Sequence, residues 1–196
     1  MSVAALTIAR IHILLALRGD VVAVKEWMFI ENAGQAAVMA TAPLPLLSGA
    51  RGAELSDVPA SLARIGSVGG APAIVFVGVL PPGQTKIEVN YELPAKAGMK
   101  FMKAMPYAAK AVVLMSEKTD VDIVGSAIQP SSVRKMGEGT TLLVARGNPV
   151  AAGGVIEFEW KGTPRTETAG TGAGRGVTTE AQRTQRSEGE EKGGRK

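Results

Sequence analysis

The sequence predicts an all-β protein built as an antiparallel β-sandwich, and three observations support this prediction. Short runs rich in Val, Ile and Leu recur along residues 7–162, as is typical of strands. Several runs alternate apolar and polar side chains, which leaves one face of each strand for a core. Turn-forming residues separate the runs at short intervals, whereas parallel βαβ units would need longer helical patterns between them.

Residues 73–94 contain the clearest strand pattern. The apolar run 73–79 lies between turn formers and suits a buried strand. Pro82 and Gly83 follow, and a proline before a glycine meets the requirements of a type II turn. Beyond the turn, apolar and polar positions alternate, so we expect a half-buried strand whose apolar side chains are Ile87, Val89, Tyr91 and Leu93.

The first part of the chain predicts a β-hairpin. Residues 7–17 and 21–32 are two β-rich runs, and the tripeptide Arg18-Gly19-Asp20 supplies the turn between them. The same three residues spell a known adhesion motif, but a hairpin turn is the simplest explanation of them.

The segment after the hairpin is less regular. A weaker strand is predicted over residues 36–41. Pro43 and Pro45 prevent regular ladder pairing, so residues 42–53 should form an edge or a loop. Residues 55–70 are small, polar and punctuated by glycine, and we expect at most one short helical turn there.

A second series of strands follows Pro94. Its last member alternates clearly, with Ile156, Phe158 and Trp160 on one side. Turn chemistry separates the members of the series, most extensively at residues 129–139. The four predicted strands cover residues 109–115, 121–128, 140–146 and 155–160.

Boundaries near Pro94 and residue 162 divide the chain into three parts. We expect a first sandwich lobe at residues 7–94, a second at residues 95–162, and a disordered tail at residues 163–196. The tail contains Val177 as its only large aliphatic residue, so it cannot bury enough apolar surface to offset the entropy of ordering.

Composition excludes several classes of function. The absence of cysteine excludes disulfides, thiolate nucleophiles and cysteine-ligated metals. Twenty-two basic and 18 acidic residues give a net charge of +4, which is weak evidence for a nucleic-acid partner, and none is expected.

The first apolar stretch, residues 3–17, has no basic region before it and no cleavage site after it, so it predicts a strand, not a signal peptide. No run is long enough for a membrane-spanning helix.

Ionisable candidates for catalysis are few. His12 is the only histidine, and a zinc site or catalytic triad would have to use it alone, so we interpret it as an ordinary strand residue. Pairs of carboxylates at an even spacing of two or four positions could in principle serve a glycosidase or a calcium site, although solvated strand faces show the same pattern. These pairs are Glu88 and Glu92, Asp120 and Asp122, and Glu157 and Glu159.

A methionine cluster is the most specific indication of a ligand site in the sequence. Met99, Met102 and Met105 recur every third residue, and thioethers are ligands that suit Cu(I). Four lysines interleave with them and would repel a bound cation, so packing of the methionines in a core or interface is favoured. These lysines are Lys96, Lys100, Lys103 and Lys110. We therefore predict no catalytic, cofactor-binding or metal-binding residues, with the three methionines as the alternative.

The order of several stretches resembles a group of bacterial envelope proteins with tandem immunoglobulin-like β-sandwiches, loosely described as carboxypeptidase-regulatory-like. The stretches are GDVVAVKEWMFIENAGQ, PLPLLSGA, LPPGQTKIEVNYELP, PYAAKAVVLMSEKTDVDIVG and GGVIEFEWKGTP, in that order. The resemblance implies immunoglobulin-like lobes, a periplasmic or cell-surface location and no established catalytic residues. The sequence shows no signal peptide, so a cytoplasmic location is the alternative.

Together these observations predict a non-enzymatic structural or protein-binding module of a bacterial cell-envelope assembly. Its partner should be a protein, met through a surface or an exposed strand edge, and an oligomer is compatible with this. The alternatives are a cytosolic scaffold, a small-ligand or Cu(I) binder using the methionines, and an enzyme using Glu157 and Glu159.

Overall fold

A computed structural model describes residues 6–96, 98–137 and 139–161, and these residues form strands and no helix. The all-β prediction is therefore confirmed. No helix that could span a membrane occurs among them. The strands are β1 Leu6–Arg18, β2 Val21–Asn32, β3 Val38–Met39, β4 Leu44–Pro45, β5 Arg51–Ser56, β6 Ala63–Val68, β7 Ala71–Phe76, β8 Val79–Leu80, β9 Gly83–Pro94, β10 Lys100–Met105, β11 Val112–Ser116, β12 Asp122–Val124, β13 Ser132–Met136, β14 Thr140–Gly147 and β15 Gly154–Lys161.

The largest layer is a seven-stranded sheet with the order β13-β14-β11-β1-β2-β9-β5. β1 and β2 form the predicted hairpin, and its turn uses Gly19 at a φ of 62°, a conformation that glycine adopts without steric cost. β9 pairs with β2 along its whole length, from Pro94 opposite Val21 to Gly83 opposite Asn32. β1, β2 and β9 are therefore the centre of the sheet.

Alternation of side chains gives this sheet an inner and an outer face. On β2 every second residue is buried and the residues between them are half-buried. β1 follows the same pattern over most of its length, as expected for strands with one face on a core. The inner face includes Ile11, Ile13, Leu15, Val22, Val24, Met28, Ile30, Ile87, Val89 and Leu93, all buried.

Three smaller sheets complete the fold, with the orders β10-β15-β12, β4-β7-β6 and β3-β8. The first of them contributes Phe101 and Phe158, whose rings stack with centroids 4.8 Å apart, and Trp160, which meets Phe101 edge-on. These aromatic residues belong to the same hydrophobic cluster as the inner face of the seven-stranded sheet. Sheets thus cover one common core, as in a sandwich.

The structure departs from the predicted strand pattern in two ways. The pair β1–β11 is parallel, although all pairs were expected to be antiparallel. Parallel neighbours need a long connection, and here all the strands from β2 to β10 lie between β1 and β11 in the chain. Residues 42–53, predicted as an edge or a loop, contain β4 and part of β5, and both are edge strands of their sheets. Residues 55–70 and 129–139 were predicted without strands, which was partly wrong, because they contain β6 and β13.

The seven-stranded sheet takes strands from both sides of Pro94. β1, β2, β5 and β9 precede this residue or end at it, and β11, β13 and β14 follow it. The parallel ladder from Ile11 opposite Val112 to Leu15 opposite Ser116 joins the two sets. The division into lobes 7–94 and 95–162 stays a prediction, and the shared sheet favours a single folding unit. The predicted disordered tail, residues 163–196, lies outside the described residues.

Candidate functional site

A network of polar side chains lies inside the core, between β2, β9 and β10. Glu26 Oε2 is 2.9 Å from Lys103 Nζ, and both side chains are fully buried. The Tyr91 hydroxyl donates a hydrogen bond to Glu26 Oε1, and Lys103 Nζ donates one to the carbonyl oxygen of Pro45. The backbone N–H of Leu47 donates to the Tyr91 oxygen at 3.3 Å.

This network is closed to substrates. Burial raises the pKa of Tyr91 well above its ordinary value, and the charge of Glu26 adds to the effect, so the hydroxyl keeps its proton and remains a donor. Glu26 and Lys103 are fully buried, so neither reaches solvent or a bound molecule. The network therefore joins the seven-stranded sheet, through Glu26 and Tyr91, to β10, through Lys103.

This ion pair was not predicted from the sequence, although the sequence contains a signal for it. Glu26 stands between Val24 and Met28 on the inward side of β2, which is otherwise apolar except for Asn32 at its end. Lys103 stands between Phe101 and Met105 on the inward side of β10. Two opposite charges at core positions of two strands indicate a buried pair, because each would be costly alone.

The methionine cluster does not converge. Met102 is 51% exposed and Met105 is fully buried, because residues three apart on a strand point to opposite faces. Met99 is partly buried and packs against the core. A Cu(I) site would need the three thioether sulfurs together, and β10 separates two of them.

His12 lies on the outer face of the seven-stranded sheet. Its neighbours across the ladder are Trp27 on β2 and Val113 on β11, and its ring meets Phe29 edge-on at 6.0 Å. Partial burial and then the positive charge of Arg10 lower its pKa, so the imidazole is neutral at pH 7.

Glu88 and Glu92 share the outer face of β9 but differ in environment. Glu88 is nearly buried and forms ion pairs with Lys25 and Lys86, each at 2.6 Å. Hydrogen bonds from these two ammonium groups lower the pKa of Glu88, which makes it a poor general acid. Glu92 is exposed.

The other two carboxylate pairs lie at the surface. Asp122 Oδ1 accepts a hydrogen bond from Ser131 Oγ at 3.0 Å. Glu157 and Glu159 line a shallow depression of about 190 Å³ together with Lys100. Within the described ranges no three His, Asp or Glu side chains are grouped as metal ligands would be.

The edge strand β13 is the most exposed strand of the large sheet. It pairs with β14 on one side, and on its other side no backbone hydrogen bond reaches it from any described residue. All five of its residues are exposed, including Val133 at 57% and Met136 at 50%. Arg134 and Lys135 stand between them. This free edge, β13, is the candidate binding site.

Two other strand edges, those of β10 and β5, are covered or interrupted. On β10 the carbonyl of Met102 accepts a hydrogen bond from the N–H of Ser48, so a loop lies along that edge. On β5 the register with β9 shifts between Arg51 and Glu54, and Gly52 has a φ of 59°. Such a bulge twists an edge away from regular pairing.

The outer face of the seven-stranded sheet also carries a groove of about 560 Å³. It runs across β1, β2, β9 and β5 near the hairpin turn. Its floor is apolar and its walls are charged. The lining side chains include Leu14, Ala16, Ala23, Arg18, Lys25, Glu54, Asn90, Glu92 and Glu117.

Comparisons with known proteins place the chain in no family. No family model matches it, and no curated protein matches it in sequence. An M1 zinc metallopeptidase from Deinococcus radiodurans aligns with 80% of the chain at 10% identity and a TM-score of 0.46, over 42% of its own length. A mutant two-domain M1 zinc metallopeptidase bound to L-tryptophan aligns at 9% identity and a TM-score of 0.45, with 80% of the chain and 43% of that protein covered.

Native yeast LTA4 hydrolase aligns in the same manner, at 6% identity and a TM-score of 0.47, with 80% of the chain and 29% of that enzyme covered. The chain thus spans less than half the length of each of these three structures. Similarity of this degree carries no conclusion about the activity of this chain. The resemblance to immunoglobulin-like envelope proteins stays a prediction.

Proposed function

We propose that this chain is a non-enzymatic, protein-binding β-sandwich module that adds a strand of its partner to the free edge, β13. The observation that supports this most is that β13 ends the seven-stranded sheet with all five residues exposed. An edge strand presents unpaired N–H and C=O groups at every second residue. A partner strand satisfies these groups, as in known cases of β-strand addition.

The side chains of β13 define the chemistry of its partner. Arg134 and Lys135 make this edge basic. In an antiparallel pairing of two β13 strands from two copies, like charges would lie close together, which is unfavourable. An extended segment with Asp or Glu residues suits the edge better, and the exposed Val133 and Met136 add apolar contact on its two faces.

The closed interior supports a binding function over catalysis. Glu26, Tyr91 and Lys103 form the one cluster of charged and phenolic groups inside the described core, and solvent does not reach it. Glu157 and Glu159, the enzyme alternative, are on an open surface beside Lys100. The envelope location rests on the sequence resemblance alone, and a cytosolic scaffold is the competing placement.

Charge reversal on β13 tests this function. Arg134→Glu/Lys135→Glu is expected to release the chain from its assembly, so that it sediments as a smaller species in extracts of the producing cells. The matched control is Lys100→Glu/Lys161→Glu, which changes the net charge equally at two exposed lysines of the sheet β10-β15-β12. Release by both variants, or by neither, would contradict the proposal.

Sedimentation of separate fractions from the same cells decides the location. The envelope proposal expects the large species in the membrane or periplasmic fraction. A large species found in the cytosol would instead support the scaffold, and it would leave the role of β13 intact.

A further inference from the structure

The groove on the outer face of the seven-stranded sheet results from two small residues. Ala16 on β1 and Ala23 on β2 lie directly opposite each other in the ladder. Larger pairs flank them on both sides, Leu14 with Lys25 and Arg18 with Val21. Two methyl groups between longer side chains leave a depression across the strands, and its volume of about 560 Å³ lies in the range of small binding sites, about 300–1,000 Å³.

The cations around this groove already have partners. Lys25 Nζ lies 2.6 Å from Glu88, and Arg18 Nη2 lies 2.6 Å from Glu117. Each of these two cations therefore has a carboxylate partner, and Lys25 shares Glu88 with Lys86.

Two carboxylates at the groove form no ion pair. Glu92 lies opposite Ala23 of β2 on one side and opposite Arg51 of β5 on the other, and Glu54 also lies on β5. Among the described residues neither side-chain carboxylate forms an ion pair or a hydrogen bond. Of the charged residues that line the groove, three are acidic and two are basic, although the whole chain carries +4.

We propose that this groove binds the side chain of an arginine or lysine from a protein partner, with its aliphatic stem on Ala16 and Ala23 and its charged end at Glu54 and Glu92. Long basic side chains combine an apolar stem with a cationic end, which matches an apolar floor with acidic walls. Arginine is expected to bind better than lysine, because its planar guanidinium can engage two carboxylates at once. This contact is separate from β13, which is the opposite edge of the same sheet.

A short peptide with a central arginine tests the proposal on the full chain. The control peptide replaces the arginine with citrulline, which has nearly the same shape and no charge. Titration followed by backbone amide NMR shifts should place the arginine peptide at Ala16, Ala23 and Gly52. Citrulline is expected to bind at least about tenfold more weakly, and added salt should weaken the arginine peptide.

Variants of the groove complete the test. Glu54→Gln/Glu92→Gln should lower the affinity for the arginine peptide about tenfold. The control Glu157→Gln/Glu159→Gln, on β15 of the sheet β10-β15-β12, should leave this affinity unchanged. Equal binding of the two peptides, shifts elsewhere on the protein, or full affinity in the groove variant would overturn the proposal. Shifts at Ala23 that depend on protein concentration without peptide would also overturn it, in favour of a second copy as the occupant.

Discussion

Lys103→Met removes the ammonium group from the buried pair with Glu26 and keeps a flexible side chain of similar length in its place. The Glu26 carboxylate then lies in the core without its counter-ion, and the carbonyl of Pro45 loses its donor. Removing one partner of a buried ion pair typically costs about 3–5 kcal/mol. The free energy of unfolding of a domain is about 5–15 kcal/mol in total, so this loss is a large share of it.

Urea and thermal unfolding followed by circular dichroism measure this cost. For a domain of this size each kcal/mol lowers Tm by about 2–4 °C, so Lys103→Met is expected to lower Tm by about 6–20 °C. The matched control is Lys100→Met, the same change on the exposed side of the same strand. It should alter the free energy of unfolding by no more than about 0.5 kcal/mol.

A double variant separates loss of the charge from loss of packing. Glu26→Leu/Lys103→Met replaces both charges with apolar groups, and such replacements are often neutral or stabilising. The double variant should therefore be more stable than Lys103→Met alone. Equal losses in the free energy of unfolding for Lys103→Met and Lys100→Met would contradict a stabilising role for the ammonium group of Lys103 beside Glu26. A double variant less stable than both single variants would contradict it as well.

Three further predictions follow from the same contacts. Tyr91→Phe should cost about 1.5–3 kcal/mol in urea unfolding, because a hydrogen bond to a charged group is lost; a cost near zero would contradict that bond. Lys25 and Lys86 lower the pKa of Glu88 from its ordinary value of 4.5. The stability that ionised Glu88 contributes is therefore present above about pH 4.5 and is lost as the pH falls through the lowered pKa. The stability difference between wild type and Glu88→Gln should therefore be constant near neutral pH and shrink below pH 4.5, and a difference that grows on acidification would refute the assignment. The shared sheet predicts that the fluorescence of Trp27 in a Trp160→Phe variant, and of Trp160 in a Trp27→Phe variant, changes at the same urea concentration as the circular dichroism of that variant; separate midpoints would support two independent lobes.

The strands that could be predicted from sequence are those with one face on the core. β1, β2, β9 and β15 alternate strongly because their inward positions are large and apolar. β13 has both faces in solvent, so its sequence, SVRKM, carries no alternation and resembles a turn region. The candidate binding site was missed for the same reason that makes it a candidate, since an exposed edge leaves no hydrophobic signal.

Contacts between distant parts of the chain were harder to predict from the sequence. The parallel pairing of β1 with β11 depends on which strands meet across the chain, and local periodicity does not report this. The pair Glu26 and Lys103 could have been predicted as two violations of the apolar pattern. Its partners Tyr91 and Pro45 depend on the alignment of the sheets, which the pattern does not contain.

The most direct test of the binding proposal is a site-specific photo-cross-link from β13 in the producing cells. A photoreactive residue replaces Val133, which is 57% exposed, and the control replaces Val155 on β15, which is 48% exposed. The proposal predicts a covalent adduct with one partner protein from position 133 only, and loss of that adduct when Arg134→Glu/Lys135→Glu is added. An adduct from position 155 alone, equal adducts from both positions, or none from position 133 would contradict binding through this edge.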